Sequence, residues 1–340
     1  MNNIPFFSIV LPVFNSEKSI KRAIESVLKQ KYKNYELLII NDGSTDNSEF
    51  IIKNYEVIDK RVKMISIKNS GVSKARNIGL KSAKGCFILF LDSDDFYDEN
   101  LLQILIELYN QKINLSGLMF LYRINNQKKK VYRSNRKLIE VQINDDHNFI
   151  FKIIKNESIN YCWNKVFKRS IIEENNLKFD TNLSLGEDLI FCLHYYTAIP
   201  KFYFLNEELY VYSKNYGKDN LTARFREERV EIRFKILNEI TTFLKRKQVN
   251  TKKINPLVNS MLLKDVFAFF MDFHTKKCNL ILTERYKLIE NVLGEKRVND
   301  MMLDFKSDSL LSCFLFMILK TKNTKLIYFA SKILCLKRKF

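Results

Sequence analysis

Short apolar runs alternate with helix-patterned segments along the first third of the chain. The apolar runs occupy residues 8–14, 36–40, 62–67 and 87–91. Between the first two runs, Ile20, Ile24 and Val27 recur at the spacing of one helix face. Strands that alternate with helices in this way predict βαβ units. The expected fold is therefore α/β, with a mostly parallel, doubly wound sheet flanked by helices.

The fourth apolar run leads directly into three carboxylates, Asp92, Asp94 and Asp95. The run shows no period-2 alternation, so it is expected to be a strand that is buried on both faces. The carboxylates must then lie past its carboxyl end, because unpaired charge inside a core is costly. Two interpretations are open. One is an acidic surface turn before a helix that starts near Glu99, and the other is a site for a divalent cation.

Polar residues also follow the other predicted strands, namely Asn15 and Glu17, Asp42, and Asn69. In parallel α/β sheets, ligands bind beyond the carboxyl ends of the strands. Ordinary turn formation explains Asn15 and Asn69 well, Asp42 in part, and the acidic group at Asp92 poorly. The pattern therefore favours a ligand site along this edge of the sheet.

The composition is that of a folded protein with a large core and a strong positive charge. Of 340 residues, 46% are hydrophobic, and the low content of Gly (8) and Pro (4) favours long helices. The cysteines form no Cys-x-x-Cys pair and the N-terminus has no signal-peptide pattern, which predicts reduced thiols in a cytosolic protein. No apolar run approaches the length of a membrane span. The net charge of +19 implies an anionic partner: a membrane surface, a nucleic acid or a phosphorylated substrate.

The type of ligand follows from which motifs are present. A Gly-x-Gly-x-x-Gly after the first strand and a P-loop are both missing, which disfavours a dinucleotide site and a P-loop nucleotide site. Acidic Asp42 suits the donor groups of a base or a ribose, and a metal at Asp94 suits a diphosphate. Together they predict a nucleotide diphosphate whose leaving charge is neutralised by a divalent cation.

Four motifs in the first 110 residues resemble, in order and spacing, the signatures of family 2 glycosyltransferases of the GT-A fold. They are LPVFN (11–15), NDGSTD (41–46), GVSKARNIG (71–79) and LDSDD (91–95). The resemblance implies a GT-A type fold, a UDP-sugar as the usual donor, and inversion at the anomeric carbon.

The resemblance also implies a set of nucleotide-binding residues: Pro12, Phe14, Glu17, Asp42, Asn69 and Arg76. Among them, Pro12 and Phe14 would line the base pocket and Asp42 would bind the base. Asp92 would contact the ribose or the donor sugar. Asp94 would hold Mn2+ or Mg2+ against the diphosphate.

The acceptor half is expected at residues 111–222. Trp163, the only tryptophan, is either part of the core or a stacking surface for a sugar ring. Glu187 and Asp188 precede an apolar helix, where a pair stabilised by the helix dipole is an equally good interpretation of the sequence alone. The resemblance implies that Asp188 is the catalytic base and that Glu187 orients the acceptor or donor sugar. It also places Lys165 near the diphosphate or the acceptor.

The implied reaction is a direct displacement, in which Asp188 removes the proton of an acceptor hydroxyl and no covalent intermediate forms. A non-catalytic nucleotide-sugar or membrane scaffold with the same fold is the main alternative. A processive synthase is disfavoured because it would need membrane spans and usually a Gln-x-x-Arg-Trp motif, and Trp163 is not in one. A nucleic-acid partner is not expected, because the basic residues are not interleaved with aromatics as in a recognition module.

The C-terminal part, residues 223–340, is helical by pattern, with long amphipathic segments at 225–247 and 257–273. Apolar clusters at 310–318 and 326–334 are accompanied by lysines, and no acidic residue follows Asp308. Such helices suit the surface of an anionic bilayer. A helical bundle with a solvated basic face, or a dimer interface, is the alternative.

The predicted organisation is a GT-A catalytic domain at 1–222, with a nucleotide-sugar half at 1–110, followed by a helical docking region at 223–340. Residues 214–222 are expected to form either a lid over the donor or a linker. The expected acceptor is a saccharide or a lipid-linked glycan. The expected location is cytoplasmic, peripheral to the inner face of the plasma membrane, and homo-oligomerisation is left open.

Overall fold

The computed structural model of the chain describes residues 4–113, 115–125, 137–156, 158–213, 225–275, 278–306 and 309–337. The chain divides into two compact units, Met1–Tyr216 and Gly217–Phe340. All residues predicted for the site lie in the first unit. The segment predicted as a lid or linker, 214–222, lies outside the described residues.

The first part of the sheet follows the predicted βαβ pattern. Its elements are β1 (Phe7–Val13), α1 (Ile20–Leu28), β2 (Tyr35–Asp42), α2 (Ser48–Ile58), β3 (Val62–Ile67), α3 (Val72–Ser82) and β4 (Phe87–Phe90). The four strands are parallel and lie in the order β3-β2-β1-β4. Every residue of β1, β2 and β4 is buried, as expected for strands covered on both faces.

The second part of the sheet adds antiparallel strands. Its elements are β5 (Phe96–Tyr97), α4 (Leu101–Asn110), β6 (Gly117–Ile124), β7 (Leu138–Gln142), α5 (His147–Lys155), β8 (Lys165–Lys168), α6 (Arg169–Glu174), α7 (Glu187–Ala198) and β9 (Lys201–Tyr212). Strand β8 is antiparallel to both β4 and β6, while β6 and β9 are parallel. Short strands β5 and β7 both pair with β9. The predicted α/β class, with a helical C-terminal region, is confirmed.

Close packing of α3 on the sheet depends on Gly79. A Cβ atom on Gly79 would lie 2.3 Å from Cγ1 of Val10 on β1, far inside van der Waals contact. The missing side chain therefore lets α3 approach β1 closely. Arg76, one turn earlier on α3, is thereby held at the carboxyl edge of the strands.

The second unit is helical throughout its described residues. Its helices are α8 (Arg229–Arg246), α9 (Thr251–Asp272), α10 (Leu282–Gly294), α11 (Lys296–Leu303), α12 (Leu310–Lys320) and α13 (Thr324–Lys337). Helix α9 begins earlier than the sequence pattern suggested, because the Asn250 side chain accepts a hydrogen bond from the Lys252 N–H at 2.8 Å and caps it. Ion pairs join α8 to α9, including Arg233–Asp265 at 2.7 Å. None of the described helices is both long enough and apolar enough to cross a membrane.

Candidate active site

Asp42 ends β2 with its carboxylate held by the next turn along the sheet edge. It accepts hydrogen bonds from the backbone N–H groups of Ser70 at 2.7 Å and Gly71 at 2.9 Å. Asn69, which precedes these two residues, is exposed. A carboxylate offers about four lone-pair positions, so Asp42 keeps acceptor capacity for a ligand. These two hydrogen bonds fix the orientation of the predicted base-binding residue. Asp42 is also nearly buried, with only 4% of its surface exposed.

The loops after β1 and β2 are joined by hydrogen bonds around Asn15 and Glu17. The Asn15 side chain, on a residue with φ of 47°, accepts from the Thr45 N–H at 2.8 Å. The Glu17 carboxylate accepts from the backbone and side-chain N–H groups of Asn47, each at 3.1 Å. Glu17 therefore shapes the rim of the predicted nucleotide site by holding the two loops together.

Pro12 and Phe14 differ in how accessible they are. Pro12 lies buried within β1, whereas Phe14, just after the strand, is 45% exposed. An exposed aromatic ring at the carboxyl edge of a sheet is suited to stack against a planar ligand. Phe14 is thus the accessible member of the predicted base pocket.

The three carboxylates after β4 have separate environments. Asp95 turns into the core, where it accepts hydrogen bonds from the Tyr210 hydroxyl at 2.7 Å and the Ser213 N–H at 2.6 Å. Burial and the nearby Asp92 and Asp94 raise the pKa of Asp95 to about 8. Asp95 is therefore a structural group that anchors the acidic loop to β9.

Asp94 remains at the edge of the core, near the Asp92 carboxylate and the Arg22 guanidinium. Burial and the neighbouring Asp92 raise the pKa of Asp94 to about 6. Arg22 of α1 donates to the backbone carbonyl of Asp94 at 2.6 Å and to the Ser213 hydroxyl at 2.8 Å. These bonds position the loop that carries the Asp94 carboxylate.

Arg76 brings the two halves of the predicted site together. Its guanidinium lies 3.0 Å from Asp92, 3.2 Å from Glu187 and 2.6 Å from Asp188. The arginine is buried, with 4% of its surface exposed, and its Nε has no hydrogen-bond partner among the residues that the structure describes. In this structure Arg76 therefore organises carboxylates. Its predicted contact with a nucleotide would use the same guanidinium.

Glu187 and Asp188 form the first turn of α7, which follows Gly186 at a φ of 82°. Burial raises the pKa of Asp188 to about 7, while the Arg76 guanidinium opposes this shift and Glu187 adds to it. A hydrogen bond from the Cys162 thiol also stabilises the carboxylate form. A carboxyl group with a pKa near neutral is well suited to take up a proton at physiological pH.

Trp163 is packed inside a group of aromatic rings. Its ring centroid lies 4.7 Å from that of Tyr161, 4.2 Å from that of Tyr210 and 6.0 Å from that of Tyr212, all in stacked arrangements. Only 3% of the tryptophan is exposed. Two interpretations of Trp163 were open, a core residue or a stacking surface for a sugar ring. Its burial among these aromatic rings favours the core residue.

Lys165, the first residue of β8, is completely buried. Its ammonium group donates to the carbonyl of Ser158 at 3.1 Å, to the carbonyl of Tyr161, and to Oδ1 of Asn164 at 2.8 Å. An ammonium group has three donors, and these contacts use all of them. Contact between Lys165 and a substrate would require one of these bonds to be exchanged.

Asp94 fits a divalent cation by its chemistry and its surroundings. Carboxylate oxygens are ligands that Mn2+ and Mg2+ prefer, and the Asp94 carboxylate lies near a second carboxylate, that of Asp92. Among the described residues, no three His, Cys, Asp or Glu side chains are grouped as a metal site. One or two carboxylates suffice where the metal also binds the phosphates of a substrate.

Three positioning residues escaped the sequence analysis: Arg22, Asp95 in its structural role, and Cys162. Arg22 resembles any charged residue on a helix surface, and its bond to the Asp94 carbonyl joins residues far apart in the chain. The sequence singles out Cys162 only by its position next to Trp163. A single thiol matches none of the glycosyltransferase motifs, so its bond to Asp188 could not be predicted. In each case the hydrogen-bond partner lies far away in the sequence, so the local sequence does not identify it.

Comparison with known proteins identifies a family model and related sequences that match this chain. The family model for glycosyl transferase family 2 matches residues 8–175. The uncharacterized glycosyltransferase EpsJ of Bacillus subtilis is 31% identical over 216 residues, which cover 62% of this chain and 62% of the relative. The poly(ribitol-phosphate) beta-N-acetylglucosaminyltransferase TarP of Staphylococcus aureus is 33% identical over 194 residues, which cover 55% of this chain and 56% of the relative. The chain thus spans less than two thirds of the length of these curated relatives.

Comparison with solved structures covers nearly the whole chain. The crystal structure of S. aureus TarS residues 1–349 in complex with UDP-GlcNAc matches with a TM-score of 0.66 and 21% identity. The match covers 95% of this chain and 89% of the TarS chain. This likeness shows that the chain has the GT-A fold expected from its motifs.

Proposed function

Residues 8–175 of this chain belong to glycosyl transferase family 2, and on that premise we propose that the protein is an inverting, metal-dependent sugar transferase of surface-glycan synthesis. The observation that carries the proposal is the convergence of Asp92, Glu187 and Asp188 on the guanidinium of Arg76. It brings a donor-side carboxylate and a candidate base to one point at the carboxyl edge of the strands.

The donor is proposed to be a UDP-sugar. The TarS structure, which shares the fold, contains UDP-GlcNAc, and the carboxyl edge of the strands in this chain carries Asp42 and Phe14. Asp42 has free acceptor positions for the N–H of a base, and the exposed Phe14 ring offers an aromatic face. Asp92 is proposed to accept a hydrogen bond from a hydroxyl of the ribose or the donor sugar.

Asp188 is proposed as the general base. It would take the proton of the acceptor hydroxyl while the hydroxyl oxygen forms a bond to the anomeric carbon. The bond from that carbon to the diphosphate oxygen breaks on the opposite face, and UDP leaves with the electron pair. One displacement of this kind inverts the anomeric centre and needs no second carboxylate as nucleophile.

Asp94 is proposed to hold Mn2+ or Mg2+. When bound there, the cation would supply the positive charge that stabilises the departing diphosphate. The contribution of the chain itself is to keep the Asp94 loop in place, through Arg22 on its carbonyl and Asp95 buried against Tyr210 and Ser213.

The acceptor is proposed to be a hydroxyl of a saccharide or of a lipid-linked glycan. The relative TarP is named as a poly(ribitol-phosphate) beta-N-acetylglucosaminyltransferase. An acceptor carried by a lipid would place the enzyme at the cytoplasmic face of the plasma membrane.

The first test is thermal stabilisation by a panel of nucleotides with and without Mn2+, followed by UDP release from UDP-sugars. UDP should raise Tm in a metal-dependent manner. Asp94→Asn should remove the metal dependence and lower UDP release by about 100-fold or more. Asp300→Asn, an exposed acid on α11, is the matched control and should behave as the wild type. Metal-dependent stabilisation without turnover of any UDP-sugar would favour a non-catalytic nucleotide-sugar-binding protein instead.

A further inference from the structure

Helix α13 carries a row of exposed apolar side chains along one face. Leu326, Phe329, Ile333 and Leu336 are separated by three or four residues, which is the spacing of a single helix face. Each of them is between 41% and 59% exposed. The other side of the helix is buried, at Ile327 among others. The helix therefore has an apolar face that packs on its own unit and a second apolar face that meets solvent.

Helix α12 repeats this arrangement. Leu310, Leu311, Phe314 and Met317 are 52% to 88% exposed, while Leu315 and other residues of the opposite side are buried. Both α12 and α13 contact α9, so their exposed apolar faces point away from that shared helix. We refer to these eight exposed side chains as the α12–α13 apolar surface.

The charged side chains carried by α12, α13 and the turn between them have one sign only. Lys320, Lys322, Lys325 and Lys332 lie on or between the two helices, and all four are exposed. No Asp or Glu occurs anywhere in residues 309–340. Exposed apolar side chains accompanied by lysines, with no acid on the same helices, are the pattern of a helix that lies in the interface of an anionic bilayer.

We propose that the α12–α13 apolar surface docks the protein on an anionic lipid bilayer, with its apolar side chains among the acyl chains and its lysines on the lipid phosphates. The inference is independent of which sugar is transferred and of whether transfer occurs.

The charge of the surface favours lipid over a second copy of the chain. In a two-fold symmetric dimer the same patch meets itself. The lysines of one copy would then face the lysines of the other, with no acidic residue available in this segment to separate them. An anionic bilayer provides the opposite charge for every lysine and an apolar layer for every exposed side chain.

Flotation of the full-length protein with vesicles tests the proposal. Vesicles of equal parts phosphatidylcholine and phosphatidylglycerol are compared with vesicles of phosphatidylcholine alone. The variant Phe329→Ser/Leu336→Ser removes apolar contacts, and its matched control is Phe50→Ser, a phenylalanine on α2 that is 67% exposed. The variant Lys325→Gln/Lys332→Gln removes two charges, and its matched control is Lys252→Gln/Lys253→Gln on the exposed start of α9.

The proposal predicts binding to the anionic vesicles and little binding to the neutral ones. Phe329→Ser/Leu336→Ser should lower the partition coefficient at least about tenfold. Lys325→Gln/Lys332→Gln should lower it by about fivefold per lysine, and high salt should reduce it further. Both controls should bind as the wild type, and every variant should keep the Tm shift produced by UDP, which reports on the other unit.

Two results would overturn the proposal. One is equal binding by Phe329→Ser/Leu336→Ser and the wild type, which would show that this surface does not enter the bilayer. The other is a concentration-dependent dimer in sedimentation that Phe329→Ser/Leu336→Ser dissolves. The surface would then belong to a second copy of the chain.

Discussion

Arg76 is the residue on which the candidate site depends most. It belongs to α3, and it binds one carboxylate that follows β4 and two that begin α7. A guanidinium suits this position because it is planar and presents several donors in a fixed geometry, which an ammonium group does not. Because the arginine is buried, its charge requires these carboxylates, and they in turn are oriented before any substrate arrives.

Asp188→Asn is expected to separate binding from chemistry. The amide keeps the size of the side chain but cannot take up the acceptor proton, so kcat should fall about 100- to 10,000-fold. The Tm shift caused by UDP should remain as in the wild type. Loss of UDP binding in this variant would instead place Asp188 in the donor site.

The pH dependence of the wild type should report the same group. A general base works in its ionised form, and the pKa of Asp188 is raised to about 7. Transfer should therefore increase as the pH rises through about 7 and level off above it. A profile that is flat between pH 6 and 8 would argue against Asp188 as the base.

At the scale of elements, the amino ends of the strands are joined by a buried carboxylate. Glu36 on β2 accepts from the Ser8 hydroxyl of β1 at 2.7 Å, from Lys63 of β3 at 2.9 Å and from the Lys84 N–H at 2.8 Å. Burial alone would raise the pKa of Glu36, but the bonds from Ser8, Lys63 and Lys84 outweigh it and lower the pKa below 4.5. This network lies at the opposite edge of the sheet from the candidate site.

Glu36→Gln should therefore reduce stability without altering the site. Loss of hydrogen bonds to a charged acceptor is expected to lower the free energy of unfolding by about 1.5–3 kcal/mol at neutral pH. The folded-state pKa of Glu36 lies below its unfolded value. The stabilisation is therefore present above that value and is lost as the pH falls through the folded-state pKa.

Urea unfolding at several pH values measures the effect of Glu36→Gln. The difference from the wild type should shrink below pH 4.5, the ordinary value for this group. Glu173→Gln, which breaks an exposed pair with Arg169, is the control and should cost less than about 1 kcal/mol. A difference that does not depend on pH would show that the charge of Glu36 is not what stabilises the strands.

The close contact between Gly79 of α3 and Val10 of β1 is expected to contribute to stability. Gly79→Ala would place a methyl group against Val10, and the strain should cost about 1–3 kcal/mol of unfolding free energy. The double variant Val10→Ala/Gly79→Ala provides the missing space, so the two effects should be less than additive. Strict additivity in the double-mutant cycle would mean that Val10 is not what restricts this position.

At the scale of the whole molecule, the two units carry different features. Every strand of the described residues and every candidate site residue belongs to Met1–Tyr216, and the α12–α13 apolar surface belongs to Gly217–Phe340. Nucleotide binding and surface docking are therefore expected to be separable.

A chain that ends at Tyr216 tests this separation. Residues 1–216 should keep the metal-dependent Tm shift produced by UDP, because the sheet and its polar edge are complete within them. The same fragment should no longer float with anionic vesicles. If the fragment folds, as judged by circular dichroism, but fails to respond to UDP, the second unit must contribute to nucleotide binding.

Much of the fold was predictable because its signals are local. The four parallel strands of the first half follow from apolar runs, of which those of β1, β2 and β4 bury both faces, and the helices follow from the helical spacing between the runs. The antiparallel strand β8 was not predicted. It is only four residues long and begins with the buried Lys165, so its sequence lacks the apolar pattern of a central strand.

The sequence by itself determined the order of strands and helices at the N-terminus, the position of polar residues after each strand, and the motifs of the family. These are properties of neighbouring residues, and secondary structure and sheet polarity follow from them. Only the tertiary structure decided that Asp92 and Asp188 meet at Arg76, that Asp95 turns into the core, and that Lys165 donates to two backbone carbonyls and to the Asn164 side chain. The physical reason is that pairing between distant charged groups depends on which surfaces pack together, and packing is a property of the whole unit.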